Sequence, residues 1–145
     1  MVSINNVKAA AADITLELIK SDSFSGLKEN DKSNSEDYFS IVKNDVKISI
    51  LANIRNGYEI LLYDESGNQS KKRSFFSFLS ILGSPMSQDV RNFQVENHER
   101  ALKEGKDTKG YYLSRMKSDF DFLKKHYPEI FTLGKMPERI FKEKG

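Results

Sequence analysis

The run from Val46 to Glu65, VKISILANIRNGYEILLYDE, limits what this chain can become more than any other stretch, because it encodes a hairpin. Val46, Ile48, Ile50, Ala52 and Ile54 alternate with Lys47, Ser49, Leu51, Asn53 and Arg55, the period of two of a strand with one dry face. After Arg55-Asn56-Gly57 comes a second strand-forming run, Tyr58 to Tyr63. Parity then chooses the turn. A two-residue loop at Asn56-Gly57 would set Ile54 against Glu59 and Asn53 against Ile60, mixing polar and apolar side chains on both faces. A three-residue loop, with Arg55 and Asn56 in a type I turn and Gly57 left-handed, instead pairs Ile54 with Tyr58, Ala52 with Ile60 and Ile50 with Leu62. One face becomes wholly apolar, so this is the turn expected. The opposite face then pairs Asn53 with Glu59, Leu51 with Leu61, Ser49 with Tyr63 and Lys47 with Glu65.

The flanking sequence supplies a third strand and the helices to cover the sheet. Tyr38 to Val42 reads as the preceding strand, and a two-residue loop at Asn44-Asp45 sets Ile41 opposite Ile48 and Phe39 opposite Ile50. At the amino terminus, Val7, Ala11, Ile14 and Leu18 form one helical stripe, with Ser3 or Asn5 as cap. Residues 21–37 are rich in Ser, Asn, Asp and Lys, and are expected to be a polar, mobile connector tethered by Phe24 and Leu27. Beyond Ser66-Gly67-Asn68, the spacing of Phe75, Phe78, Leu79 and Leu82 predicts a short helix ending at Gly83, with a fourth strand through Arg73 to Phe78 as the competitor. Ser87 opens a helix through Val90, Phe93, Val95, His98, Ala101 and Leu102 to Gly105. Asp107 or Thr108 caps the last long helix, whose stripe is Tyr112, Met116, Phe120, Leu123 and Tyr127 and which Pro128 stops. After Gly134, Ile140 and Phe141 would anchor one more turn.

These elements predict a single α+β domain over residues 1–145: an amino-terminal helix, a three- or four-stranded antiparallel meander, and two or three carboxy-terminal helices packed on one face. A chain of 145 residues is long enough to bury a core without covalent staples. It has no cysteine, which excludes a disulfide framework and a thiolate nucleophile and suits a cytoplasmic protein. Its 23 basic and 21 acidic residues nearly cancel, so any attraction to nucleic acid must be local. No apolar run has the length of a membrane span, and the stretch before Ala9 to Ala12 lacks the apolar core of a signal peptide. The composition resembles that of small bacterial accessory proteins.

Chemistry is sparse. There is no nucleophile elbow, no phosphate-cradling glycine loop and no dinucleotide fingerprint, so no catalytic residue and no cofactor is assigned. His98 and His126 could act as an acid and base pair in an RNase-like hydrolase, but they fall on different helices and read better as surface or capping side chains. Glu96, His98, Glu99, Asp119, Asp121 and His126 match no dedicated metal spacing, and Asp119 and Asp121 point to different sides of one helix, so no metal is expected. Lys71, Lys72 and Arg73 beside Phe75, Phe76 and Phe78 form the one basic cluster interleaved with aromatics, and a single-stranded nucleic acid could use cations for phosphates and Phe76 for stacking. The plainer reading makes those rings core.

What stands out is apolar surface beyond the needs of one core. Leu51, Leu61 and Tyr63, rimmed by Asn53, Glu59 and Lys47, are expected to form a patch on the wetter sheet face. The expectation is therefore a non-enzymatic domain that binds another protein, an inhibitor or immunity-type factor occluding a toxin or enzyme through Leu51, Asn53, Glu59, Leu61 and Tyr63. A homo-oligomer would hide the same face. A nucleic-acid module built on Lys71 to Phe78 is the alternative.

Overall fold

The computed structural model describes residues 2–26, 38–54, 57–67, 71–75 and 87–138. In chain order the elements are α1 (Ile4–Asp22), β1 (Ser25–Gly26), β2 (Tyr38–Lys43), β3 (Val46–Asn53), β4 (Gly57–Asp64), β5 (Lys71–Phe75), α2 (Ser87–Leu102), α3 (Lys109–His126) and α4 (Pro128–Thr132). The strands form one antiparallel meander in the order β1-β2-β3-β4-β5, four full strands and a two-residue stub at the edge. The architecture is the α+β arrangement that the periodicities predict.

Between β2 and β3 the turn at Asn44-Asp45 has two residues, and Ile41 faces Ile48 while Phe39 faces Ile50, as the pattern requires. Asn44 takes the left-handed conformation, which its short polar side chain tolerates. Between β3 and β4 the outcome differs. The loop is odd in length, so the apolar face survives intact, but the register slides by two: Ala52 pairs with Tyr58, Ile50 with Ile60 and Ile48 with Leu62. Ile54, expected opposite Tyr58, lies in the loop and is 73% exposed. An even slide leaves every side chain on its original face, so alternation alone does not choose between the two registers. The observed one sets the large Tyr58 ring against Ala52, the smallest residue of the face. Gly57 has φ +88° and now pairs with Asn53 as the first residue of β4.

Two further expectations are corrected. Lys71–Phe75 is a strand, so the fourth-strand reading prevails there; the helix expected to end at Gly83 falls mostly outside the described residues, as do Leu27 and the anchors Ile140 and Phe141. The polar connector is also shorter than composition suggests, because α1 continues to Asp22 and Ser25–Gly26 pairs with β2. Phe24 is the tether expected, buried and set edge-on to Phe131.

One core joins these parts. Val7, Ala10, Ala11, Ile14 and Leu18 of α1 and Met116, Phe120 and Leu123 of α3 close over Ile41, Ile48, Ile50, Ile60 and Leu62. Each of these larger side chains contributes roughly 1.5–3 kcal/mol by leaving water. Among the described side chains of α2, Asn97 and Ala101 are buried and Phe93 partly so, while Val95 and Leu102 of the expected stripe are exposed. At the far end of the sheet, Lys43 donates to the carbonyl of Asp22 at 2.8 Å and to that of Phe131, placing one ammonium at the ends of α1 and α4. Gly134 has φ +61°, and a Cβ there would lie 2.6 Å from the Lys43 carbonyl oxygen.

Candidate functional site

The sheet face opposite the core is built by alternation, so its members follow from the register: Tyr38, Ser40 and Val42 of β2, Lys47, Ser49, Leu51 and Asn53 of β3, and Glu59, Leu61 and Tyr63 of β4. Its centre is closed. Ser40 and Ser49 are buried with their hydroxyls 2.7 Å apart, and Leu61, opposite Ser49, is only 4% exposed although it does not belong to the main core. Around that centre Leu51, Asn53, Glu59 and Tyr63 are half-buried. The expected partner residues thus share one face, with Leu61 as its floor and the others as its surround.

Charge is placed on this face with some care. The Lys47 ammonium sits 4.2 Å from the centroid of the Tyr63 ring and 3.8 Å from the Glu65 carboxylate. The slide in register makes this Lys47–Glu65 contact diagonal; Lys47 pairs directly with Tyr63. Burial, with Tyr38 and the carboxylates of Glu59 and Glu65 nearby, raises the Tyr63 hydroxyl pKa, so it remains a neutral donor. The basic run joins the same sheet: β5 pairs Lys72 with Tyr63 and Lys71 with Asp64. Phe76 lies outside the described residues.

The two histidines do not meet. His98 Nδ1 is 3.0 Å from the Tyr111 hydroxyl near the start of α3, whereas His126 packs on Phe122 at its end, about 22 Å further along at 1.5 Å per residue. Between α2 and α3 runs a cleft of about 450 Å³ lined in part by Phe93, Glu96, Arg100, Asp121, Lys125 and His126, a mixed-charge wall without a converging donor set. Among the described residues no group of three His, Asp or Glu side chains is placed to hold a metal ion.

A second polar constellation lies inside the molecule, and sequence reasoning passed over it. Asp119 is 0% exposed, accepts a short hydrogen bond from the Tyr58 hydroxyl through Oδ2, and has no hydrogen-bond partner at Oδ1 among the described residues. Burial outweighs the Tyr58 bond and the Arg115 charge, and pushes the carboxyl up to about 7. Tyr58 is driven well above its ordinary value by the same burial and by the carboxylate beside it. One turn before Asp119, Arg115 lies with its guanidinium carbon 5.3 Å from the Tyr58 ring centroid and 5.5 Å from that of Tyr111. It donates to the Tyr111 hydroxyl at 3.4 Å. The Asn97 amide donates to the Arg115 carbonyl at 3.3 Å, and its own Oδ1 is likewise buried without a partner among the described residues. The signal was present: on the helical wheel Asp119 falls between Phe122 and Tyr112, a carboxylate flanked by aromatic side chains at the edge of the apolar stripe.

Among the described residues no helix is long and apolar enough to cross a membrane. No protein-family model, curated protein or solved structure matches this chain.

Proposed function

We propose that this chain is a non-enzymatic protein-binding domain, an inhibitor or immunity-type factor that occludes a toxin or enzyme with the sheet face opposite its core. The observation that carries the reading is the make-up of that face: Leu61 buried outside the core, surrounded by half-buried Leu51 and Tyr63 with Asn53 and Glu59 beside them. Tyrosine and leucine offer large contact area with little side-chain entropy to lose, and the polar residues supply register. The partner sought is a protein with an apolar patch of matching size. A cytoplasmic setting suits a chain without cysteine.

The test is recovery of partners from lysate with and without nuclease treatment at about 0.15 M and about 0.5 M salt, comparing wild type with a Leu51→Asp/Tyr63→Ser variant of unchanged circular dichroism. Leu61 is left alone because its burial would confound folding with binding. A protein that persists at the higher salt and is lost with the variant supports the reading. Equal recovery by the variant removes the proposed face. Recovery that needs nucleic acid and collapses with salt favours the alternative, a nucleic-acid module in which Lys71, Lys72 and Arg73 hold phosphates and Phe76 stacks on a base.

A further inference from the structure

We infer that two copies of this chain associate through the outer groove between α2 and α3, joined by a ladder of charges that stays open within one copy. The two helices run antiparallel. Phe93 of α2 packs on Phe122 of α3 at 4.8 Å between ring centroids, and towards the other end a Cβ on Gly110 would lie 3.2 Å from the Glu104 side chain. Clefts of about 450 and 440 Å³ follow this seam and share Arg100, Ser118 and Asp121, so they form one groove. Read from the Gly110 end, α2 supplies Glu104, Arg100 and Glu96, while α3 supplies Lys117, Asp121 and Lys125. Residues four apart stand one above another on a helix, so one wall reads minus, plus, minus and the other plus, minus, plus. The walls do not close on each other. Among the described residues, Arg100 donates to the neutral Ser118 hydroxyl at 3.2 Å, Lys117 reaches away to Glu17 at 4.0 Å, and Glu96, Glu104, Asp121 and Lys125 form no ion pair.

Such a ladder is complementary to itself. A half turn about an axis lying along the groove lays a second copy's α2 over the first copy's α3, and the reverse, without shifting either along the axis. Glu96 then faces the partner's Lys125, Arg100 the partner's Asp121 and Glu104 the partner's Lys117, and symmetry makes each contact twice. A half turn about an axis across the groove matches only the two central rungs and carries Glu104 away from Lys117. Three rungs select the first arrangement. Complementary charge fixes orientation more than it supplies affinity, and the area agrees. From Gly110 to Lys125 the groove runs about 22 Å, and with helix axes about 10 Å apart the face is about 400–500 Å² per copy, near half of what a stable complex buries. The association is therefore weak, with a dissociation constant on the order of 10–100 μM. It leaves free the sheet face opposite the core, so it goes beyond the function proposed above and does not depend on it.

The experiment is analytical ultracentrifugation of the whole chain up to about 500 μM, at about 0.02 M and about 0.5 M salt. Dimer at the lower salt, with a dissociation constant at least about ten-fold larger at the higher, is the expected result. Arg100→Glu and Asp121→Arg, each with unchanged circular dichroism, set like charges against each other across the axis and each weaken the dimer by about ten-fold or more. An equimolar mixture of the two single variants restores association to within about three-fold of wild type, because Glu at 100 in one copy then meets Arg at 121 in the other. Should either variant fail to fold, Glu96→Lys mixed with Lys125→Glu makes the same test one rung along. A chain that stays monomeric at the lower salt overturns the inference. So does a dimer indifferent to the reversals, or a mixture that associates no better than its components. A salt-resistant dimer lost only with Leu51→Asp/Tyr63→Ser would belong to the sheet face and would overturn it too.

Discussion

Asp107 and Asp119 lie twelve residues apart, at the start and in the third turn of α3, and each accepts a short hydrogen bond from a tyrosine hydroxyl, Tyr112 in one case and Tyr58 in the other. Their acidities move in opposite directions. Asp107 is half-exposed, also accepts from the Ser3 backbone N–H at 2.8 Å, and is lowered, chiefly by that bond and then by Tyr112. Asp119 is sealed from solvent and is raised to about 7. The same partner chemistry therefore gives opposite results, because a hydrogen bond to the charged form competes with the cost of removing that charge from water. At the surface the bond wins, and in the interior burial does.

The two groups must therefore shape opposite limbs of the stability profile. Lowered in the folded state, Asp107 adds stability that is present above its ordinary value near 3.8 and lost as pH falls through the folded one. Raised in the folded state, Asp119 binds its proton more tightly than the unfolded chain does, so its contribution is greatest below 3.8 and is lost as pH rises to about 7. The largest test of the contrast is Asp119→Asn, which should flatten the alkaline limb in urea unfolding between pH 4 and pH 8; a shift from 3.8 to about 7 corresponds to on the order of 4 kcal/mol. An Asp119→Asn profile that still declines like wild type would break the comparison.

Removing the hydroxyls sharpens it. Tyr58→Phe leaves Asp119 buried without its donor, so the protein should lose roughly 1–3 kcal/mol and the Asp119 midpoint should move further up. Tyr112→Phe should instead return Asp107 upward toward the ordinary carboxyl range, at a smaller loss, both read by the carboxyl carbon titration. Gly57→Ala reaches the surface site indirectly. The new Cβ would meet the Tyr112 ring at 3.0 Å from a backbone at φ +88°, and about 1–2 kcal/mol should be lost in thermal unfolding. Smallest is Asp107→Asn, which keeps a residue suited to φ +61° and should cost stability only above the acid range, steepening nothing at neutral pH. A stability loss that grows on the alkaline side would contradict the role given to Asp107.

The same division explains what was legible beforehand. Which face each residue of β2, β3 and β4 takes, the Asn44-Asp45 turn, and the start and stop of α3 all follow from period and capping. Thr108, for instance, accepts from the Tyr111 backbone N–H as a capping residue should. Ser3 stands at the start of α1 but caps by no side-chain bond; its backbone N–H goes to Asp107, more than a hundred residues away. The partner face was likewise legible in membership and not in depth, since nothing in the alternation says that Leu61 is 4% exposed while Leu51 is half-buried.

By itself, then, the chain of residues determines direction: alternation and helical spacing orient each side chain through bonds to its immediate neighbours, whatever the rest of the molecule does. The tertiary structure decided position. It slid β4 by two against β3, a move invisible to alternation, and it carried Tyr58 to Asp119 across sixty-one residues. The charge state of that carboxyl depends on how much water is excluded around it, and exclusion of water is a property of the assembled core.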